Sequence, residues 1–363
     1  FQFADNITYM RMANEAVLTR NPTAAEPYSQ NKINSTVAGA DPYLFPNNNW
    51  LDQLLKPYTF NQGYNLNVTG GSPRARYYIA GTYNKDNGIL NVEPINDFNS
   101  NISLSNYSMR INVDFNVTNS TTVIARMYGQ FDDYTGPIGG YNERNERISG
   151  GEQTYRNALN ANPVMFPAVY PASKLPFIEH PLFGSAQTRN SDLSLSSTMY
   201  VNPYAEMVKG YQQYKTSNLM PQIEVKQNLA FITPGLSGRA MGYLRRMSYY
   251  RINRNYIPFY YEAMVNPQDQ SYRLRALNEG SVNSLQPVGR ENLDYVQDAK
   301  DVDSRLWAEA ALTYNRTFKE KHAVGGMLIS YLSNYETANA NNVILSLPAR
   351  DLGVSGRLSY GFK

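Results

Sequence analysis

Cysteine is absent, and histidine occurs only at His180 and His322. The first absence excludes a disulfide framework and any thiolate metal site. The second leaves little for general acid–base or nucleophilic chemistry. No P-loop is present, and Gly353-Val354-Ser355-Gly356 lacks the spacer residue of a G-x-S-x-G nucleophile elbow. These checks give no reason to expect an enzyme. No apolar run approaches the ~18 residues of a spanning helix. A formal net charge of +3, with Lys and Arg scattered, gives no footprint for nucleic acid. No Pro/Gly/Ser-rich linker or charge block divides the chain, so residues 1–363 read as part of a single domain. The negative mean hydropathy does not exclude a membrane barrel, in which half of each strand is polar.

What the chain does have is alternation. Tyr107, Met109, Ile111, Val113, Phe115 and Val117 are apolar, and Ser108, Arg110, Asn112, Asp114 and Asn116 between them are polar. Unbroken period-two patterning marks a strand with one apolar and one wet face. After a turn at Thr118-Asn119-Ser120 the pattern resumes through Val123, Ala125, Met127 and Phe131, with Ile124 and Tyr128 breaking the polar side. Strands of soluble domains average roughly five to six residues, and this hairpin is about twice that. At ~3.3 Å per residue and a tilt of ~40°, such strands rise ~25 Å, the height of an outer-membrane barrel's apolar band. On this hairpin alone a soluble β-sandwich fits as well.

Seven further strands are expected at Tyr64–Thr69, Tyr77–Tyr83, Leu219–Phe231, Leu236–Tyr249, Arg305–Tyr314, His322–Leu332 and Leu352–Phe362, with Phe1–Phe3 as the tail of another. Gln227 falls on the wrong side of its strand. Short helices are expected after Asp5 to Leu18, after Asn49 to Pro57, and over Glu152–Leu159. Connections at 70–76, 118–120, 232–235 and 315–321 are short, and those at 84–106, 132–217, 250–303 and 333–351 are long. Strict alternation of short and long loops predicts an all-β, antiparallel up-and-down transmembrane β-barrel with tight turns on one side and long extracellular loops on the other. A compact soluble domain has no use for two structureless loops of this length. Thirty tyrosines include Tyr64, Tyr77, Tyr83, Tyr107, Tyr249, Tyr250, Tyr314 and Tyr360 at strand ends, where a barrel carries its aromatic girdles.

The inward polar set comprises Arg110, Asp114, Arg126, Glu224, Lys226, Arg239, Arg245, Arg305, Glu309 and Arg357. It reads either as a wall that meets a plug and cargo, or as ladders of opposite charge that steady the barrel, for instance Arg305 with Glu309. Tyr134, Tyr141, Phe166, Tyr170, Phe177, Tyr256, Tyr260 and Tyr261 fall in long loops. There they could stack on cargo, meet a lid protein, or pack on one another. Asp294, Asp298, Asp301 and Asp303 could offer oxygens to Ca²⁺ but lack EF-hand spacing, so no cofactor is expected.

Several stretches, in order, resemble the SusC/RagA family of TonB-dependent outer-membrane transporters of Bacteroidota. They are Tyr9-Met10 with Asn14-Glu15-Ala16, Phe45-Pro46-Asn47 with Trp50, and Tyr64 to Gly71 with Tyr77-Tyr78, Gly81, Tyr83 and Asn87-Gly88. Tyr155 to Leu159 before Asn162-Pro163, Asn202-Pro203 before Tyr211, Pro234-Gly235-Leu236, Tyr314 to Phe318 and Gly356 to Tyr360 continue the match. Phe45 stands where the family has Tyr, and residues 250–303 match no family pattern. The resemblance implies a barrel of ~22 strands with a plug inside, the present chain being an internal segment. It further implies import of oligosaccharides or oligopeptides across the bacterial outer membrane, with energy from the TonB complex and a SusD-like surface lipoprotein as lid. A barrel recruited into a larger outer-membrane assembly and a passive porin are the alternatives.

Overall fold

The computed structural model describes residues 4–92, 94–190, 194–266 and 271–362. The expected strand at Phe1–Phe3 lies outside them. Nine long strands form one sheet in strict chain order, every neighbouring pair antiparallel. These are β1 (Gln62–Gly71), β2 (Ala75–Asn87), β3 (Ser103–Asn116), β4 (Thr121–Gly136), β5 (Gly210–Asn228), β6 (Leu236–Ile257), β7 (Arg290–Phe318), β8 (His322–Thr337) and β9 (Ala349–Phe362). An up-and-down meander of this kind has one row of tight turns and one row of long excursions, as the loop lengths predict. In the tight β5–β6 turn, Gly235 holds φ +90°, and a Cβ there would meet the Asn315 carbonyl oxygen at 2.2 Å. Only glycine fits.

Three strands outrun their expected bounds by eight residues or more. β5 begins at Gly210 rather than Leu219, β6 continues to Ile257, and β7 starts at Arg290 rather than Arg305. The added segments carry polar residues on both faces (Gln212, Gln213, Lys215 and Thr216; Arg251, Asn253 and Arg254; Asp294, Gln297 and Asp298), so alternation fades there although the ladder continues. β7 also slips register twice against β6, between Arg251 and Ile252 and between Asn255 and Ile257, and the first of these bulges resets side-chain parity. The expected loop at 250–303 therefore shrinks to 258–289.

The excursion at 137–209 is not structureless either. It holds α4 (Gly150–Asn160), capped by Ser149, and α5 (Pro203–Val208), capped by Asn202. Ahead of the sheet stand α1 (Asn6–Arg20), whose N-cap is Asp5, α2 (Gln30–Val37) and α3 (Trp50–Leu54), capped by Asn49. Both expected capping residues, Asp5 and Asn49, serve as such. α2 and α5 were not foreseen, since neither has a recognisable apolar period. Short strands from two separate excursions join in a four-stranded sheet, ordered Tyr272–Ala276, Tyr260–Val265, Leu182–Gly184, Val169–Tyr170.

The protein's hydrophobic core sits in this loop layer. Trp50, Leu54, Leu90, Ala158, Phe166, Phe183, Met207 and Val208 pack together, and the long sheet supplies only Tyr256 from the tip of β6. Three buried asparagines tie the layer to itself. Asn202 donates to the carbonyls of Ala168 and Gly184, both at 2.8 Å, while its Oδ1 accepts from the Tyr204 and Ala205 amides at the start of α5. Asn278 donates to the Pro258 and Pro287 carbonyls, both at 2.9 Å, and Asn48 donates to Phe166 at 2.8 Å. A buried amide with all its hydrogen bonds made fixes loop geometry where regular secondary structure does not.

Candidate functional site

Cross-strand register decides which side chains share a face, because directly paired residues project to the same side. Arg110 pairs with Tyr128 and Ala80, Arg126 with Asn112 and Gln222, Glu224 with Ile124 and Met241, and Lys226 with Thr122 and Arg239. Arg245 pairs with Arg305, Glu309 with Met241 and Tyr331, and Arg357 with Met327. Following the pairs from strand to strand places all ten inward candidates on one face. Ile111, Val113, Phe115, Ile223, Leu312, Leu328 and Leu358 lie on the other. Gln227 does lie among the apolar set, at the strand end, where Thr121 donates to it at 2.7 Å.

Exposure on the two faces is inverted relative to a water-soluble protein. Ile223, Leu328 and Leu312 are 61%, 53% and 48% exposed on interior strands, whereas Glu224, Ser333 and Asp303 on the opposite face are 5%, 6% and 9% exposed. No second sheet covers the apolar side among the described residues; the remaining sheets are built from the excursions. A sandwich would bury Ile111, Val113 and Phe115, yet Phe115 is exposed and the other two are only half-buried. A contiguous apolar surface of this extent needs an apolar solvent or partner. Toward one end of that face Tyr64, Tyr83, Tyr107 and Phe131 occupy a single register row across β1–β4. Tyr64 stacks on Tyr83, and Tyr83 lies 5.0 Å from Tyr107. This is a girdle by position as well as by residue type. Tyr249 departs from the expected girdle: it pairs with Thr216 and faces the polar side.

On the polar face opposite charges meet across strands. Arg126 donates to Glu224 at 2.7 Å, with Lys226 at 3.4 Å from the same carboxylate. Arg239 binds Glu309, Arg76 lies 3.6 Å from Asp114, and Arg251 donates to Asp298 at 2.7 Å. Glu309 thus pairs with Arg239, its diagonal neighbour on the adjacent strand, and not with Arg305, which stands four residues and ~13 Å away along its own strand. Replacing Glu224 with Gln keeps an acceptor but removes the charge between two cations. The expected cost is about 1–2 kcal/mol, discounted because Arg126 is partly exposed. Urea unfolding in lipid vesicles reads it directly, and an unchanged midpoint would show that the ladder does not hold the wall.

The aromatic candidates separate into two groups. Tyr134 and Tyr256 are not loop residues; they lie on β4 and β6, Tyr134 stacked on Tyr214 at 4.5 Å and Tyr256 donating to Asn96 at 3.2 Å. Phe166, Tyr170, Tyr260 and Tyr261 are buried and bind the loop layer together. Burial pushes the Tyr170 and Tyr260 hydroxyls well above the usual phenol range and Tyr261 up to about 12. His180 hydrogen-bonds both Tyr261 and Glu291 at 2.8 Å and stacks on Phe259. Tyr141 and Phe177 alone of the set present exposed rings.

The four aspartates considered for Ca²⁺ lie on β7, not in a loop. Arg147 and Arg251 hold Asp298, Arg245 lies near Asp303, Asn339 donates to Asp301 and Arg290 to Asp294. Among the described residues no three acidic or histidine side chains converge as metal ligands would. Arg147, which carries no sequence signal, reaches Asp298 from the 137–209 excursion and so fastens the loop layer to the wall.

The loop layer also contains a cleft of about 720 Å³, between the segment after α2, α3 and the 167–169 stretch. Tyr43, Phe45, Asn47, Gln53, Asn91 and Tyr204 contribute to its lining, and among the described residues no Lys, Arg, Asp or Glu does. Sequence reasoning did not single it out, since its walls come from five separate stretches.

A long antiparallel meander, apolar and exposed outside, polar and charge-laddered inside, with folded loops at one end, is the wall of an up-and-down transmembrane β-barrel. The solved structures with which it compares agree. The RagAB peptide importer in its closed-closed state matches over 99% of this chain and 38% of that chain, at 13% identity and a TM-score of 0.50. The open-open state matches over 97% and 37%, at 14% identity and a TM-score of 0.49. A further structure of the RagAB peptide transporter matches over 86% and 31%, at 16% identity and a TM-score of 0.45. The present chain therefore spans about a third of the length of these structures, and what it shares with the closed-closed structure is the fold. No protein-family model and no curated protein sequence matches. No helix among the described residues is long and apolar enough to cross a membrane, which says nothing of crossing by strands.

Proposed function

We propose that this chain is wall and outer-loop structure of a TonB-dependent transporter of SusC/RagA type, importing oligopeptides or oligosaccharides across the bacterial outer membrane. The observation that carries the reading is the inverted sheet. Its apolar face suits lipid, its polar face suits a wet or plugged interior, and its ordered loop layer suits the side that first meets cargo. The fold shared with the RagAB importer makes oligopeptides the first cargo to test. The uncharged cleft and the exposed rings of Tyr141 and Phe177 are candidate contacts for cargo or for a SusD-like lipoprotein lid, and the ten polar-face residues are candidates for the lumen wall. The energy source in this reading is the TonB complex, reached through parts of the protein outside this chain. Deleting TonB in the native bacterium should abolish uptake of labelled peptide or glycan without lowering the amount of this protein in the outer membrane. Uptake that persists unchanged would overturn active import, and ion conductance of the full-length protein in planar bilayers would then identify a passive pore.

A further inference from the structure

On the polar face of the sheet Arg76, Arg126, Lys226, Arg239 and Arg251 each have an acid within 4 Å, whereas two other cations stand directly opposed with a single acid between them. Arg245 on β6 and Arg305 on β7 are direct cross-strand partners. Like charges in that position repel, since paired side chains start only ~5 Å apart at Cβ. The nearby acid is Asp303, which lies 3.5 Å from Arg245. Among the described residues no acid pairs with Arg305, whose guanidinium lies 5.4 Å from the Tyr335 ring centre. Arg245 Nε is buried and makes no hydrogen bond. An unpaired buried donor on a cation is costly and calls for an acceptor.

The surroundings are built to strengthen such an acceptor. Tyr243 and Trp307, next along each strand on this face, pair with each other and stack at 6.4 Å, and Trp307 stacks on Tyr331 at 4.8 Å. On the other side Met247 Sδ lies 3.5 Å from Arg245. The two guanidinium forks are thus flanked by rings and a thioether that carry no competing charge, and Arg305 remains exposed to an incoming acceptor, whose charge-assisted bond is stronger than a neutral one. Arginine forks match a carboxylate in two parallel hydrogen bonds.

We propose that Arg245 and Arg305 form a carboxylate-binding pair on the polar face, completed by an acid that comes from outside this sheet. The carboxylate belongs either to cargo or to another segment of the same protein filling the barrel. The inference rests on reading this face as the barrel interior but not on active transport, so it is tested with purified full-length protein and no energy source.

Two measurements on wild type, Arg245→Gln and Arg305→Gln separate the sources. The first compares equilibrium binding of two end-blocked pentapeptides that differ only in a central Glu or Gln. The second is the melting temperature without peptide. A wild-type preference for the Glu peptide of about tenfold, lost in both variants, places the carboxylate on cargo. No preference, with both variants melting below wild type, places it on the protein itself. In an empty pair Arg305→Gln relieves repulsion and raises the melting temperature, while Arg245→Gln lowers it by no more than the loss of the Asp303 contact, which Asp303→Asn measures separately. No preference with the Arg305→Gln melting temperature unchanged or raised overturns the proposal. So does a lowering confined to Arg305→Gln, which would report only the lost contact with Tyr335.

Discussion

Ile111→Arg should prevent stable insertion of the protein in the membrane, whereas Asn112→Arg, one residue away, should be tolerated. Ile111 pairs with Ile79 and Met127 in the middle of β3, on the face that carries the exposed apolar residues. Near the midplane of a bilayer an arginine on that face costs about 2–4 kcal/mol. Asn112 pairs with Tyr78 and Arg126 on the polar face, where water solvates a new charge and repulsion from Arg126, already held by Glu224, costs at most about 1 kcal/mol. Folding into lipid vesicles, followed by urea titration and by the gel shift of the heat-resistant barrel, measures both variants of the full-length protein. Equal tolerance of the two would show that the apolar face does not meet lipid, and the reading as a membrane barrel would fail with it.

Phe183→Ala is expected to act on the other half of the structure. Phe183 is fully buried in the loop-layer core, 6.3 Å from the Tyr204 ring, and its backbone pairs with both Val169 and Tyr260. Truncating a buried Phe removes transfer free energy and leaves a cavity, at a cost of about 3–5 kcal/mol. The long sheet shares no apolar core with this region beyond Tyr256, so the loss should stay local. The variant should expose residues 137–209 and 258–289 to protease while the barrel keeps its heat-resistant gel mobility. Loss of both together would show that loop layer and wall fold as one cooperative unit.

Apolar-face and polar-face residues were separable from the chain alone on every strand but β8, whose parity is unclear in sequence, because period-two alternation in strands is local and needs no partner. The middle portions of all nine strands and the Asp5 and Asn49 caps were legible for that reason. Alternation in Tyr107–Val117 likewise specified which residues would share a face, and pairing only confirmed the partition. The extension of β5, β6 and β7 was not legible, since those outer ends are polar on both faces and a bulge breaks the parity. Nor was the folded state of the excursions. Phe166 and Tyr260 look like free loop aromatics in sequence, and only packing against residues roughly a hundred positions away buries them.

The sequence by itself determined the strand meander, the two-faced partition of its side chains and the alternation of tight turns with long excursions, because each is set within a few consecutive residues. Only the tertiary structure decided which charges neutralise one another and which stand opposed. Register fixes that Glu309 answers Arg239 while Arg245 confronts Arg305, and register is a property of two strands at once. The same holds for the loop layer, where buried amides and rings from distant stretches meet. Their contacts carry no periodic trace, so chain order alone could not reveal them.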